Sequence, residues 1–421
     1  MSRAEMITQL VSIVKDFRKD EICINLDSTH IDRWLCQFPI KSQEAILSET
    51  IYVFSRWYFT RQYIEEEFLD SLINFLCQKY KCNSVYELCY ATIFLRMQKV
   101  GQSQKQLIQM LKNRLHKQYG VILDTKISKE KSHFVYIDDG LYTSSRARKD
   151  LTNIIDQLPP GSTLDAFYLI AGSNGLIYTM DTLSPIAKCH NITVSLYRLH
   201  CLQNIKTIEK TVRGDNATDI YAESYTASQI CLWPDEELQS ISDISNYENF
   251  LNSCCPNPPK YLYRKKPWKD DIGIFSSIQR RKIIEREFLL KGIEIVSLLS
   301  NPKGKYPLGY NLWPSFGFGS FCATDLNISN TCPLVLWWGN IEKQGNILDN
   351  WYPLLPRRIN NLNDDVEVLD RPEDISAHRL SPPYNLCPDC GMTFGLETDG
   401  GNEERPKFCV TVQSSANRAK I

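Results

Sequence analysis

Three apolar segments separated by helical patterns constrain the fold of this chain most strongly. Residues 134–137 (FVYI), 164–171 (LDAFYLIA) and 192–199 (ITVSLYRL) are nearly continuous apolar runs, which are typical of strands buried on both faces of a parallel sheet. Residues 151–158 instead place apolar side chains at helical spacing. Strands that alternate with helices predict an α/β fold, with a mostly parallel sheet flanked by helices.

An acid pair follows the first of these strands directly. Asp138 and Asp139 are expected at its carboxyl end, which is where ligands of open parallel sheets bind. Adjacent carboxylates can accept hydrogen bonds from the vicinal hydroxyls of a ribose. The next residues are suited to hold a phosphate, because hydroxyls and the first N–H groups of a helix bind anions: Thr143, Ser144, Ser145 and Arg146. The alternative is a strand-end turn in which an aspartate caps the helix.

A second segment has the same organisation. Residues 85–97 (VYELCYATIFLRM) are predicted to form a strand, residues 98–103 a loop, and residues 107–115 a helix with leucines at every fourth position. The loop offers a cation, a glycine that permits close approach and a hydroxyl, which suit a phosphate group: Lys99, Gly101 and Ser103. An ordinary strand-to-helix connection explains this loop equally well.

The acid-pair segment resembles the phosphoribosyl diphosphate-binding motif of type I phosphoribosyltransferases. The resemblance implies that Asp138 and Asp139 bind the ribose hydroxyls as the catalytic acids, and that residues 143–146 bind the 5-phosphate. It also implies that the loop of Lys99, after the first core strand, holds the pyrophosphate. Ser144 stands where the family usually has a glycine able to reach φ > 0, and this departure favours a binding role without turnover.

Further segments are similar to a phosphoribosyltransferase-like family of bacterial conflict systems, whose members include effectors associated with retrons. The segments that carry the resemblance lie in order between about residues 30 and 360: 34–54, 134–151, 274–292, 306–310, 330–340 and 351–358. The resemblance implies an antiphage defence effector, or toxin, that binds a nucleotide or phosphoribosyl diphosphate and acts on nucleotides. The alternative is a non-catalytic nucleotide sensor, or a scaffold that binds a reverse transcriptase and its DNA product.

Cofactor expectations follow from this chemistry. Phosphoribosyl transfer depends on positioning and charge stabilisation, with Mg²⁺ held mainly by the pyrophosphate and water. The six histidines are dispersed and none lies in a metalloprotease-type pattern. Near the carboxyl end, Cys387, Cys390 and Cys409 provide three ligands for Zn²⁺, with His378 as the nearest fourth. Scattered free thiols are the alternative, since a tetrahedral site needs four ligands.

The chain is long enough for several domains. We predict a helical N-terminal domain over residues 1–82, a phosphoribosyltransferase-like α/β domain over residues 83–360 with an insertion at 202–300, and a small irregular tail over residues 361–421. Basic and aromatic residues alternate at positions 260–269, which suggests a weaker hypothesis of a DNA-contacting adaptor.

Composition limits the cellular setting. A net charge of −1 does not indicate a nucleic-acid binder by bulk electrostatics. No apolar run reaches membrane-spanning length, so no membrane association is expected. The 15 cysteines are scattered and many lie in apolar segments, which predicts buried free thiols in a reducing cytoplasm.

Overall fold

The structure is a computed structural model that groups the chain into two compact units. Unit 1 comprises Met1–Thr60 and Gln203–Asp374, and unit 2 comprises Arg61–Leu202 and Ile375–Ile421. The model describes residues 1–21, 25–97, 103–123, 125, 127, 131–202, 231–254, 262–264, 272–299, 304–312, 314–357, 385–386, 393–394 and 409–414.

Unit 1 opens with three helices, which agrees with the predicted N-terminal helical region. They are α1 (Arg3–Val14), α2 (Ser28–Leu35) and α3 (Ile40–Trp57), and a short strand β1 (Tyr58–Phe59) follows α3. A capping box between Ser2 and Glu5 starts α1, and the Asp27 side chain caps α2. These caps satisfy backbone N–H groups that a helix start leaves unbonded.

Unit 2 begins with a helical segment that precedes its sheet. Helix α4 (Arg61–Tyr63) widens into a π-helical turn over Ile64–Leu69 and continues as α5 (Asp70–Lys79), and α6 (Val85–Ala91) follows. The Ser84 side chain caps α6 by accepting a hydrogen bond from the N–H of Glu87.

The sheet of unit 2 confirms the predicted parallel α/β architecture. Its parallel strands, in spatial order, are β2 (Thr92–Phe94), β3 (His133–Leu141), β4 (Thr163–Gly172) and β5 (Thr193–Leu202). The segment Cys409–Ser414 adds an antiparallel strand beside β5. Because the four strands are parallel, their carboxyl ends meet at one edge of the sheet, and a ligand site is expected there.

Helices cover both faces of this sheet. Helix α7 (Ser103–Tyr119) links β2 to β3, α8 (Ser145–Ile155) links β3 to β4, and α9 (Ser173–Cys189) links β4 to β5. The face that α8 and α9 cover holds a continuous apolar core. On the opposite face α5 is anchored by Lys79, whose Nζ donates to Asp165 Oδ1 at 2.6 Å, while the Phe75 ring contacts Phe167 edge-on.

The second part of unit 1 packs with its N-terminal helices. It contains α10 (Ser242–Cys254), α11 (Ile278–Ser297), strand β6 (Ala323–Thr324) and α12 (Leu334–Trp337), and β6 pairs parallel with β1. The indole N–H of Trp34 donates to the carbonyl oxygen of Val335 at 2.9 Å, which joins α2 to α12.

A buried ion network holds the interior of unit 1. Glu285 on α11 accepts hydrogen bonds from Arg281 Nε at 2.9 Å and from one guanidinium nitrogen of Arg264 at 3.1 Å, and both arginines are at most 1% exposed. The backbone N–H of Trp233 adds a third bond at 3.0 Å. Arg264 was part of the segment suggested as a DNA contact, and its burial excludes it from such a surface. Residues 265–269 lie outside the described residues.

The strand predicted over residues 85–97 was wrong over its first half. Residues 85–91 form helix α6 and residues 92–94 form strand β2, because Ser84 caps a helix whose Tyr86 and Tyr90 side chains point to solvent. A continuous apolar run does not by itself separate a helix from a strand.

None of the helices in the described part of the chain has the length and apolar character needed to cross a membrane.

Candidate functional site

The acid pair lies near the carboxyl end of β3, inside the sheet of unit 2. Strand β3 runs between β2 and β4, and Asp138 is in register with Tyr168 of β4, which is in register with Arg198 of β5. Asp138 and Asp139 are only 5% and 8% exposed. Two carboxyl groups are therefore held in a largely water-free position at the edge where the sequence predicted a ligand.

Asp138 is held by its neighbours on both oxygens. The Tyr136 hydroxyl donates to Oδ2 at 3.0 Å, and the backbone N–H of Asp139 donates to Oδ1 at 3.0 Å. Burial and the adjacent Asp139 carboxyl raise the pKa of Asp138 well above its ordinary value, against the lowering effect of the Tyr136 bond. Asp138 therefore keeps a proton to higher pH than an exposed aspartate does.

The loop after β3 brings small hydroxyls to the start of α8. Ser144 adopts the left-handed conformation, with φ 70° and ψ −20°, and α8 begins at the next residue. This is the backbone conformation for which the related motif uses glycine. Ser144 thus adopts, at a steric cost, a conformation that glycine reaches without one.

Two buried hydroxyl oxygens in this loop lack hydrogen-bond partners. The Oγ atoms of Ser144 and Ser145 are inaccessible to solvent, and neither bonds to any group in the described residues. Buried hydroxyls are normally bonded. These two hydroxyls lie at the amino end of the 11-residue helix α8, where the first backbone N–H groups have no acceptor within the helix. Arg146 follows in the first turn with an exposed side chain, and Thr143 is half-buried.

A glycine of α9 fixes the position of this loop, and the sequence reading missed its role. A Cβ atom at Gly175 would lie 2.3 Å from the carbonyl oxygen of Tyr142 and 2.6 Å from the Leu141 side chain. Helix α9 can therefore approach the loop only because residue 175 has no side chain. The glycine pair in the segment GSNG was the available signal, although its spacing alone suggests a turn.

Two further polar residues of the site were missed. Asp150 of α8 accepts a hydrogen bond from the Tyr136 hydroxyl at 3.3 Å, and Tyr168 of β4 is fully buried. Burial and the charges of Asp138 and Asp150 raise the pKa of Tyr168. Helical spacing shows Asp150 only as a polar position, so the sequence carries no signal that it faces the acid pair.

The second predicted loop is described only at its ends. Lys99 and Gly101 lie outside the described residues, whereas Ser103 is buried at the first position of α7. The backbone N–H of Met97 donates to Gln104 Oε1 at 3.0 Å, which joins the end of β2 to the start of α7. Since β2 is parallel to β3, the carboxyl end of β2 lies at the same edge of the sheet as the acid pair.

The metal predictions rest on residues that the structure describes only in part. Cys387, Cys390 and His378 lie outside the described residues, and only the backbone of Cys409 is described, in the strand beside β5. Within the described residues, no group of three or more histidine, cysteine or acidic side chains is arranged to hold a metal ion.

The sheet order and the acid pair at the β3 edge, followed by a hydroxyl loop at a helix start, define a phosphoribosyltransferase-like α/β protein. The family model PRTase-CE matches residues 31–357, and the chain belongs to this family of phosphoribosyltransferase-like conflict-system effectors. No curated protein and no solved structure shows significant similarity to the chain.

Proposed function

We propose that the acid pair and the loop at the start of α8 bind the ribose 5-phosphate part of a phosphoribosyl diphosphate-type ligand. The observation that carries this proposal is the pair of buried hydroxyls of Ser144 and Ser145, which have no hydrogen-bond partner among the described residues. They lie in the loop that follows Asp138 and Asp139 along the chain. A phosphate would accept hydrogen bonds from both hydroxyls and from backbone N–H groups in the first turn of α8. The two carboxyl groups would accept bonds from the ribose hydroxyls.

Because the chain belongs to a family of conflict-system effectors, we propose that the site acts on nucleotides as part of a retron-type toxin system. In such a reaction the ribose carbon develops positive charge as pyrophosphate departs. Asp138 and Asp139 would hold the ribose hydroxyls, and the loop would hold the 5-phosphate, so that the reacting carbon is fixed in place. Mg²⁺ would enter with the pyrophosphate, whose charge it neutralises.

Isothermal titration calorimetry with phosphoribosyl diphosphate and Mg²⁺ tests the binding proposal. The double variant Asp138→Asn, Asp139→Asn is expected to lose about 100-fold or more in affinity, because each charged hydrogen bond contributes about 1.5–3 kcal/mol. Ser144→Ala with Ser145→Ala is expected to lose about tenfold. Ser195→Ala is the matched control, since Ser195 is a buried serine in the amino half of β5. Equal affinity in all four proteins would refute the site.

Turnover separates the enzyme from the non-catalytic sensor or scaffold. Pyrophosphate release in the presence of nucleobases or nucleotides supports the enzyme, whereas tight binding without release supports the sensor. In cells, a nucleotide pool that falls on expression of the wild type, and not of the Asp138→Asn, Asp139→Asn variant, would identify the substrate class. A phage-protection assay with the same pair of proteins shows whether defence requires the acid pair.

A further inference from the structure

The Tyr136 hydroxyl lies between two carboxyl groups that belong to different elements. It is 3.0 Å from Asp138 Oδ2 on β3 and 3.3 Å from Asp150 Oδ2 on α8. Tyr136 precedes Asp138 by two residues, so both side chains lie on the same face of the strand. One phenol therefore contacts both the acid-pair strand and the helix that begins at the hydroxyl loop.

A phenol has one proton to donate, and it can satisfy only one of these carboxyl groups at a time. If the proton points to Asp138, the Asp138 carboxylate is stabilised and can accept further bonds from a ligand. If it points to Asp150, Asp138 is better satisfied as a neutral acid that donates to the Tyr136 oxygen. The two arrangements differ in the charge of Asp138, and the buried setting makes that difference large.

Other polar groups surround Asp138. Asp139, next in the chain, adds a like charge, and a hydrogen bond between the two carboxyl groups also favours the protonated form of Asp138. Tyr168 is fully buried in register with Asp138, but its hydroxyl makes no hydrogen bond within the described part of the chain. Arg198 occupies the same register row one strand further, on β5. Against these groups, the Tyr136 hydroxyl donates a bond that favours the charged form of Asp138.

We propose that Tyr136 is a positioning residue that, by bonding alternately to Asp138 and Asp150, sets whether Asp138 can receive a ligand hydroxyl. The ligand part of this inference rests on the proposed function. Ligand binding requires the Asp138 carboxylate, so a neutral Asp138 must release its proton to solvent as the Tyr136 hydroxyl turns towards it. Binding is then coupled to proton release, and affinity rises as pH rises through the pKa of Asp138.

The ligand-free protein supplies the first test, through the titration of the Asp138 carboxyl carbon followed by ¹³C NMR. Tyr136→Phe removes a bond to the charged form and is expected to move the midpoint up by about one pH unit. Asp150→Asn removes a competing acceptor and a nearby negative charge, so the midpoint is expected to move down. Tyr168→Phe is the matched phenol-to-phenyl control, and it should leave the midpoint unchanged. The proposal would be overturned if the midpoint of Asp138 moved in the same direction in Tyr136→Phe and Asp150→Asn, or if it did not move in either variant.

The second test measures phosphoribosyl diphosphate affinity against pH in the same proteins. At a pH below the midpoint, Tyr136→Phe is expected to bind about tenfold more weakly than the wild type, and the deficit should close at high pH. A residue with a merely structural role would lower affinity equally at every pH, which would contradict the inference. Opposite NMR shifts without any ligand binding would instead refute the proposed function and leave the role of Tyr136 supported.

Discussion

Replacement of Ser144 by glycine is expected to stabilise unit 2. A non-glycine residue in the left-handed region costs about 1–2 kcal/mol, and Ser144 has φ 70°. The entropic cost of glycine offsets about 0.5–1 kcal/mol of this relieved strain, because glycine has more conformational freedom to lose from the unfolded chain. Removal of a buried hydroxyl that has no hydrogen-bond partner in the described part of the chain recovers about 1 kcal/mol more. The net gain is about 1–2 kcal/mol, or roughly 2–8 °C in melting temperature.

Two variants separate the contribution of backbone strain to the free energy of unfolding from the contribution of the buried hydroxyl. Ser144→Ala removes the hydroxyl but keeps the strained conformation, so it should gain about 1 kcal/mol. Lys81→Gly relieves a similar conformation, φ 54°, at an exposed position of the same unit, and it should gain about 0.5 kcal/mol. Hydrogen exchange of the α8 amides reports the local opening free energy, and a urea titration reports the global change.

The same substitution is expected to weaken ligand binding although it stabilises the free protein. If the hydroxyl of Ser144 binds phosphate, Ser144→Gly should weaken phosphoribosyl diphosphate binding by a few-fold to about tenfold while it stabilises the free protein. Slower exchange in α8 with weaker binding is the expected pair of outcomes. A loss of stability in Ser144→Gly, with Lys81→Gly stabilised as expected, would refute the view that Ser144 is strained and unsatisfied for the sake of a ligand.

Three further perturbations follow from the contacts. Burial raises the pKa of Asp138, so the contribution of its carboxyl group to folding stability is lost as pH rises through that pKa. The melting temperature of Asp138→Asn should therefore exceed that of the wild type by a margin that grows from pH 5 to pH 9. A constant margin would contradict this. Gly175→Ala should cost about 1–3 kcal/mol in urea titration, because its Cβ meets the Tyr142 carbonyl oxygen. Glu285→Ala should cost about 3–5 kcal/mol, since two buried arginines lose their carboxylate, and Glu285→Gln should cost less.

The carboxyl-end location of the acid pair was predictable because it depends on local rules. A continuous apolar run is compatible with a central parallel strand, and such strands bind ligands at their carboxyl ends. Asp138 and Asp139 directly follow the run 134–137, so their position needed no knowledge of distant residues. The pattern failed at residues 85–97, because apolar residues there serve one helix face and one short strand in succession, and periodicity over so few residues does not separate them.

The partners of the acid pair were not predictable, because they come together through packing. Asp150 reaches Tyr136 only after α8 lies against the sheet, and Gly175 is required only because α9 passes close to Tyr142. The buried ion network of unit 1 joins Trp233, Arg264, Arg281 and Glu285, which come from three separate segments of the chain. The alternation of basic and aromatic residues suggested a DNA contact at Arg264 and could not reveal its burial.

The sequence by itself determined the order of the acidic and hydroxyl residues at the candidate site, because these residues lie close together in one short segment of the chain. It also carried the family resemblance. The tertiary structure decided the electrostatic state of that site. It buries Asp138 beside Asp139, places Tyr136 between Asp138 and Asp150, and gives the Ser144 and Ser145 hydroxyls no partner among the residues it describes. Burial and hydrogen bonding depend on groups that distant segments bring together, and a linear pattern contains no record of them.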